Sequence, residues 1–258
     1  MKVIAEVGSN WKTHDDCLHS VEQAARAGAD IVKFQYYTNE CLYGVPGPRN
    51  CLPLVSQLAS HAKEHDIEFM CTAFSRKGYQ IVDPLVKRHK IASSEITDLD
   101  ILETVNSFRK PVILSTGGAT HQEIAYALLV LRNVPVTLLY CVVDYPARIV
   151  DFRHLRDLRE KHGGSCAYGY SDHSVDVLNI PSLARKHGAV ILEKHVNFTE
   201  HTDTSDHPHS LSGHEFRMMI KHLKRDLLVQ ETARPNPYKR TAQTIQPFNS
   251  RGYYRPPA

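Results

Sequence analysis

The sequence predicts a single (β/α)8 barrel of the TIM type, followed by a short C-terminal tail. Strand and helix patterns alternate along residues 1–229, and the chain of 258 residues has the length of one such barrel. The predicted strands are short and continuously apolar, which is typical of parallel strands covered by helices. No G-x-G-x-x-G or Walker-type loop follows any of them, which weakens the alternative of an open nucleotide-binding sheet.

Each predicted strand is an apolar run that ends at polar residues or glycine, and each predicted helix has apolar residues at helical spacing. In chain order the strands are 2–7, 31–35, 68–72, 89–92, 111–115, 136–141, 166–170 and 190–195. The helices are 14–27, 53–65, 77–87, 98–107, 120–131, 151–161, 175–187 and 213–229. Gly28 is expected to close the first helix and Asp98 to cap the fourth, while glycines and prolines predict a loop over 36–50.

The composition indicates a globular protein without nucleic-acid or membrane partners. Hydrophobic residues make up 42% of the chain, charged residues 23%, and the net charge is +3. No apolar run approaches the roughly 20 residues that cross a bilayer, and the first residues lack the pattern of a secretory signal. Six cysteines occur without a C-x-x-C pair, so free thiols are expected. These observations predict a cytoplasmic protein.

Residues 230–258 predict a tail without its own core, since they contain five prolines among arginine, tyrosine and asparagine. We expect a homodimer in which this tail packs on the barrel or its neighbour and brings an arginine near Asp206. A disordered solubilising end is the alternative.

Two histidines follow consecutive predicted strands, and they organise the functional hypothesis. His173 comes after the strand 166–170, and His195 ends the strand 190–195. In a parallel barrel these strand ends open on one face, where such enzymes keep their chemistry. The two imidazoles could share one metal ion, or each could be a structural histidine.

The other predicted strand ends are also strongly polar. Beside the histidines, they supply Glu6, Asn10, Lys33, Gln35, Thr72, Ser75, Arg76, Lys90, Ser93, Glu95, Ser115, Asp144, Tyr145, Ser171, Asp172, Glu193 and Lys194. Lysines inside barrel strands suggest an anionic ligand, because Lys33, Lys90 and nearby hydroxyls would form a cradle for a phosphate group. Alternatively, the lysines pair with buried glutamates, and such a network could itself hold a site.

Six segments, taken in order, closely resemble the sialic acid synthase (N-acetylneuraminate synthase) family. They are IAEVGSN at 4–10, AGADIVKFQ at 27–35, KIASSEIT at 90–97, KPVILSTG at 110–117, GYSDH at 169–173 and EKH at 193–195. This resemblance covers residues 3 to about 229. It implies a (β/α)8 barrel that condenses phosphoenolpyruvate with an N-acylated hexosamine such as N-acetylmannosamine and releases phosphate.

The resemblance also implies roles for residues of this chain. It assigns a divalent metal to His173 and His195, with Mn²⁺ expected and Mg²⁺ or Co²⁺ as alternatives. Acidic catalytic roles fall to Glu6, Glu95, Glu193 and Asp206. Substrate binding falls to Asn10, Lys33, Gln35, Thr72, Lys90, Ser93, Ser115, Tyr145, Ser171 and Lys194. The segment 206–211 resembles the loop that closes over the sugar.

Three departures from the family pattern keep other functions open. Trp11 replaces a histidine, Val142 and Val143 replace polar residues, and the family's antifreeze-like domain is expected to be absent. Because unmatched polar groups strongly affect selectivity, the acceptor could be a different aldose. A catalytically reduced sugar- or phosphate-binding barrel, or a metal-dependent aldolase or isomerase, are the alternatives.

Overall fold

The computed structural model describes residues 1–37, 55–164 and 166–225, and it confirms the barrel. The eight barrel strands are β1 Lys2–Gly8, β2 Ile31–Tyr36, β3 Glu68–Ala73, β4 His89–Ile91, β5 Val112–Ser115, β6 Val136–Cys141, β7 Ala167–Asp172 and β8 Ile191–Asn197. Every strand pairs in parallel with the next, and β8 pairs with β1, so the sheet closes. A ninth strand that the sequence did not predict, β9 Leu211–Ser212, pairs with β8.

Helices follow the strands on the outside of the barrel. They are α1 His14–Ala27, α2 Val55–Glu64, α3 Arg76–Val82, α4 Leu99–Ser107, α5 His121–Val130, α6 Arg153–Lys161, α7 Asn179–Lys186 and α8 Gly213–Lys224. Both predicted helix ends are confirmed. Gly28 ends α1 with a left-handed φ of 85°, and the Asp98 side chain caps α4 by accepting from the backbone N–H of Ile101.

Two layers of inward-pointing side chains fill the barrel: an apolar layer, and a polar layer nearer the C-terminal ends of the strands. The lower layer is a buried apolar cluster of Ile4, Ile31, Met70, Ile113, Leu139 and Ile191. Since side chains of a strand alternate between its faces, the residues two positions further along point inward above this cluster. They include Glu6, Lys33, Thr72, Ser115 and Glu193, all of which are buried. An apolar floor therefore supports a polar layer at the C-terminal ends of the strands.

Several predicted boundaries were wrong for local reasons. The helix predicted over 77–87 ends at Val82, and Pro84 lies in a separate 3₁₀ turn, Asp83–Leu85. The helix predicted over 175–187 begins only at Asn179, because Asp176 Oδ1 accepts from the N–H groups of Leu178, Asn179 and Ile180.

Other predictions concern parts of the chain that are not described. Most of the predicted loop 36–50 and all of the tail 230–258 lie outside the described residues. Among the helices that are described, none combines the length and apolar character needed to cross a membrane.

Candidate active site

A buried network of lysines and glutamates occupies the centre of the polar layer. Lys33 Nζ lies 2.6 Å from Glu6 Oε2 and 3.7 Å from Glu193 Oε2. Lys90 Nζ lies 3.8 Å from Glu193 Oε1 and donates to Ser115 Oγ at 2.8 Å. The lysines therefore pair with buried glutamates, as one of the two hypotheses predicted, and they do so beside hydroxyl groups. Binding of an anionic ligand by the same lysines stays a prediction.

Hydroxyl and amide groups complete this network. Lys33 Nζ donates to Thr72 Oγ1 at 3.4 Å, and Gln35 Nε2 donates to Glu6 Oε1 at 3.0 Å. Ser171 Oγ donates to Glu193 Oε1 at 3.0 Å, which fixes the carboxylate between the two lysines. The strands therefore bring these predicted residues together at one end of the barrel.

Burial and neighbouring charges shift the pKa values of this network in opposite directions. Burial raises the pKa of Glu6 to about 7, despite the opposing effect of Lys33. Burial would also raise the pKa of Glu193, but Lys33 and Lys90 hold it below its ordinary value. Burial likewise lowers the pKa of Lys90, and the negative charge of Glu193 opposes this change.

Three imidazoles and a tyrosine ring form a cluster beside the network, which we call the imidazole cluster: Tyr145, His173, His195 and His209. The rings of Tyr145 and His173 are stacked at 4.3 Å, and those of His173 and His195 lie 5.8 Å apart. His173 Nδ1 lies 2.7 Å from the Val142 carbonyl oxygen, which can only accept, so Nδ1 carries the proton. In the neutral ring, the lone pair is then on Nε2.

A carboxylate faces the imidazole cluster from the loop after β8. Asp206 Oδ2 lies 3.7 Å from His195 Nδ1, and Oδ1 lies 3.8 Å from His209 Nε2. The Ser9 backbone N–H donates to Asp206 Oδ2 at 2.8 Å. Gly8 permits this approach, because a Cβ there would lie 2.1 Å from that oxygen. A glycine at the end of β1 thus makes room for the carboxylate.

The donor set of this region fits a divalent metal. His195, Asp206 and His209 each offer a ligand atom, and these atoms all lie within 4.8 Å of one another. His195 Nδ1 and His209 Nε2 are buried and make no hydrogen bond within the described residues. Burial also lowers the pKa of His173 to about 4 and that of His195 well below its ordinary value, so both are neutral as ligands must be. Metal binding by the pair His173 and His195 stays a prediction.

The sequence reasoning missed His209. It lies in a 3₁₀ turn, His207–His209, that no strand pattern marks, and its exposed fraction is 6%. The available signal was its spacing from Asp206 within the segment 206–211. A carboxylate and an imidazole three residues apart can face the same point in a helical turn.

Three further predicted residues follow β4 and β6 along the chain, namely Ser93, Glu95 and Tyr145. Ser93 Oγ accepts from the Gly117 N–H at 3.0 Å, and Glu95 is buried and accepts from Ser94 Oγ at 2.6 Å. Tyr145 is half exposed above the imidazole cluster.

Two predicted substrate-binding residues, Asn10 and Lys194, have their polar groups engaged by other parts of the chain. Asn10 uses its amide to hold the loop after β8, donating to the Val196 carbonyl and Ser210 Oγ and accepting from Thr204 Oγ1. Lys194 points to the opposite face of β8 from Glu193 and His195. There its Nζ lies 2.6 Å from Asp172 Oδ2 and donates to the Ser174 carbonyl at 2.6 Å. Alternation along the strand is the physical reason.

Lys194→Ala is therefore expected to reduce stability rather than to act on substrate binding. Both side chains of the Lys194–Asp172 pair are fully buried, and loss of the lysine leaves an unpaired carboxylate. The free energy of unfolding should fall by about 3–5 kcal/mol. Urea unfolding measures it, with the exposed Lys221→Ala on α8 as the control, which should change it by less than about 0.5 kcal/mol. An unchanged midpoint for Lys194→Ala would contradict this role.

Glu95 is expected to make stability depend on pH. Burial raises its pKa from 4.5 to about 7, so its contribution to stability is fully present below pH 4.5 and is lost as the pH rises through 7. Glutamine does not titrate, so Glu95→Gln should not lose stability in this way. The free energy of unfolding of the variant, minus that of wild type, should therefore rise by about 3 kcal/mol between pH 4.5 and 7.5. Urea unfolding at both pH values tests this, and the exposed Glu103→Gln should follow the wild-type curve. A constant difference across the range would contradict the prediction.

Comparison with known proteins agrees with this architecture. The family model described as "NeuB family" matches residues 53–232. The chain is 31% identical to the pseudaminic acid synthase of Helicobacter pylori, over 92% of this chain and 78% of the relative. It is also 31% identical to the N,N'-diacetyllegionaminic acid synthase of Campylobacter jejuni, over 86% of this chain and 75% of the relative.

A solved structure shows the same fold. The N-acetylneuraminic acid (sialic acid) synthetase of Leptospira borgpetersenii, in complex with citrate, superimposes with a TM-score of 0.77 at 28% identity, covering 91% of this chain and 87% of that one. The fold and its polar layer define a (β/α)8 barrel with its site at the C-terminal ends of the strands. Within that class, the chain belongs to the NeuB family.

Proposed function

We propose that this protein condenses phosphoenolpyruvate with an N-acylated hexosamine, such as N-acetylmannosamine, to form a nonulosonic acid with release of phosphate. The buried network of Lys33, Lys90 and Glu193 is the observation that carries the proposal, because it offers positive charge inside a barrel. Membership of a family whose relatives include pseudaminic and legionaminic acid synthases supports it.

The lysines and hydroxyls suit the two anionic groups of phosphoenolpyruvate. Lys33 and Lys90 supply charge-assisted donors, and Thr72, Ser115 and Ser171 supply neutral ones from β3, β5 and β7. Glu193 faces the amino groups of both lysines and holds them in place. As phosphate leaves, its growing negative charge is stabilised by donors that are already oriented.

Carboxyl groups of the site can move protons during the reaction. Glu6 has a pKa of about 7 because it is buried, so it can both accept and donate a proton near neutral pH. Asp206 lies above the end of β1, held by the Ser9 N–H, and it can orient hydroxyl groups of the sugar. The half-exposed Tyr145 offers a ring and a hydroxyl at the entrance.

A divalent metal, expected to be Mn²⁺ with Mg²⁺ or Co²⁺ as alternatives, is part of the proposal. When bound, such an ion supplies Lewis-acid polarisation of the sugar aldehyde. His173 and His195 would hold it, and the Val142 carbonyl, by accepting the Nδ1 proton of His173, fixes the orientation of that ring.

We also propose that the protein acts as a homodimer in the cytoplasm. The described residues include four free cysteines, Cys17, Cys71, Cys141 and Cys166, which suits a reducing compartment. The dimer rests on the expected role of the tail 230–258.

Release of inorganic phosphate tests the proposed function. The purified protein is incubated with Mn²⁺, phosphoenolpyruvate and a panel of N-acylated hexosamines and other aldoses. We expect release that requires both phosphoenolpyruvate and one acceptor. Binding of phosphoenolpyruvate without release for any acceptor would indicate a barrel with reduced catalysis. Conversion of a sugar without phosphoenolpyruvate would indicate an aldolase or isomerase instead.

A further inference from the structure

His209 is buried beside His195 and Tyr145, but these contacts leave one of its ring nitrogens without a hydrogen-bond partner in the described part of the chain. Its ring lies 4.6 Å from that of His195 at an angle of 73°, and 4.9 Å from that of Tyr145. Its Nε2 is buried and makes no hydrogen bond within the described part of the chain. Buried polar atoms nearly always have a partner, so this nitrogen calls for one.

We propose that His209 is a metal ligand, and that it holds the divalent ion of this site together with His195 and Asp206. The inference rests on the proposed function, since it concerns the metal of the same site. It adds to the predicted metal ligands a residue from the loop after β8, whereas His173 and His195 come from the ends of β7 and β8.

The spacing of the atoms supports this ligand set. Atoms bound to one ion at about 2.1 Å lie roughly 3–4 Å from each other. The distances from Asp206 to His195 Nδ1 and to His209 Nε2 are 3.7 and 3.8 Å, so both pairs already have this spacing. They are too long for hydrogen bonds. A cation between them would satisfy both nitrogens and the carboxylate at once.

A direct ion pair between His209 and Asp206 is the competing explanation. Such a pair would be joined by a hydrogen bond, but the 3.8 Å between His209 Nε2 and Asp206 Oδ1 is too long for one. The ring also packs against His195 and is only 6% exposed. A cation between the two groups explains this spacing better than a direct contact does.

The ligand set has a consequence for metal selectivity. Imidazole nitrogens suit transition metals such as Fe²⁺, Ni²⁺ and Zn²⁺, whereas Mg²⁺ prefers oxygen ligands and keeps several waters. Mn²⁺ is the weakest binder of the first-row series and also accepts oxygen ligands, so it lies between these two groups. Loss of His209 should therefore weaken the binding of Mn²⁺ more than that of Mg²⁺. The ratio of the Mg²⁺ dissociation constant to the Mn²⁺ dissociation constant should become smaller.

The test measures metal binding directly in the full chain. His209→Phe removes both ring nitrogens but keeps an aromatic ring against Tyr145 and His195. The dissociation constant for Mn²⁺ is measured by electron paramagnetic resonance, and that for Mg²⁺ by competition. Loss of a group that only orients a ligand typically costs about 10–100-fold in affinity, so loss of a direct ligand should raise the Mn²⁺ constant by at least about 10-fold, with the Mg²⁺ constant changing less. Pulsed resonance of bound Mn²⁺ should show one coupled imidazole fewer.

The matched control is His201→Phe, from the same loop. His201 Nε2 lies 3.1 Å from Asp16 Oδ2, so it is also an imidazole beside an aspartate, but it lies outside the imidazole cluster. Its Mn²⁺ constant should equal that of wild type. Thermal unfolding in the presence of a chelator shows that each variant is folded.

The outcomes separate this inference from the proposed function. The inference would be overturned if folded His209→Phe binds Mn²⁺ as tightly as wild type does and shows the same number of coupled imidazoles. This holds even if the protein releases phosphate from phosphoenolpyruvate. Tight Mn²⁺ binding that depends on His209, without phosphate release for any acceptor, would overturn the proposed function and leave the inference standing. Absence of Mn²⁺ binding to the wild-type chain would overturn the inference.

Discussion

Lys90→Ala is expected to weaken phosphoenolpyruvate binding by roughly 10–100-fold, the effect of losing a hydrogen bond to a charged group. Lys90 is 2% exposed and points into the barrel, where Ser115 and Glu193 fix its ammonium group. Its removal eliminates one of two cations in the network. Glu193 then competes with the ligand for Lys33, so the anion loses more than a single contact. Calorimetric titration with phosphoenolpyruvate measures the effect.

Arg153→Ala is the control for this experiment. Its guanidinium is exposed at the start of α6 and pairs with Asp151. Removal of an exposed cation changes little at a distant buried site, because solvent and salt screen it. Equal losses of affinity in the two variants would show that phosphoenolpyruvate does not bind at the strand ends.

The sequence was sufficient for the barrel because its signals are local and repeated. Each strand is a short apolar run, and parallel pairing then forces their C-terminal ends to one face. The polar residues at those ends had to meet there, and Lys33, Lys90 and Glu193 do so in one network. Helix ends were also predictable where one side chain decides them, as at Asp98.

Side-chain direction and loop geometry were harder to predict. The three consecutive residues Glu193, Lys194 and His195 were assigned to one site, although alternation sends the middle one to the other face. His209 depends on a turn whose position follows from contacts between distant segments. One of these joins Asp206 to Ser9, across 197 residues of sequence. No local pattern encodes such a contact.

Gly8→Ala is expected to reduce turnover by about 100-fold or more by displacing Asp206. Gly8 has a φ of 56°, and a Cβ would lie 2.1 Å from Asp206 Oδ2 and 3.3 Å from Glu6 Oε1. The carboxylate must move away from the Ser9 N–H, and a shift of about 1 Å in a catalytic group can cost two orders of magnitude in rate. Phosphate release under saturating phosphoenolpyruvate measures the loss.

Gly118→Ala separates this displacement from backbone strain. Gly118 also has a left-handed φ, of 73°, but the nearest atom to its Cβ would be Val143 Cγ2 at an ordinary 3.8 Å. Each alanine should cost about 1–2 kcal/mol of stability through strain, as measured by urea unfolding. The loss of turnover should be confined to Gly8→Ala, because there the methyl group occupies the position of the Asp206 carboxylate. Similar turnover in the two variants would mean that the reaction does not depend on Asp206 at this position.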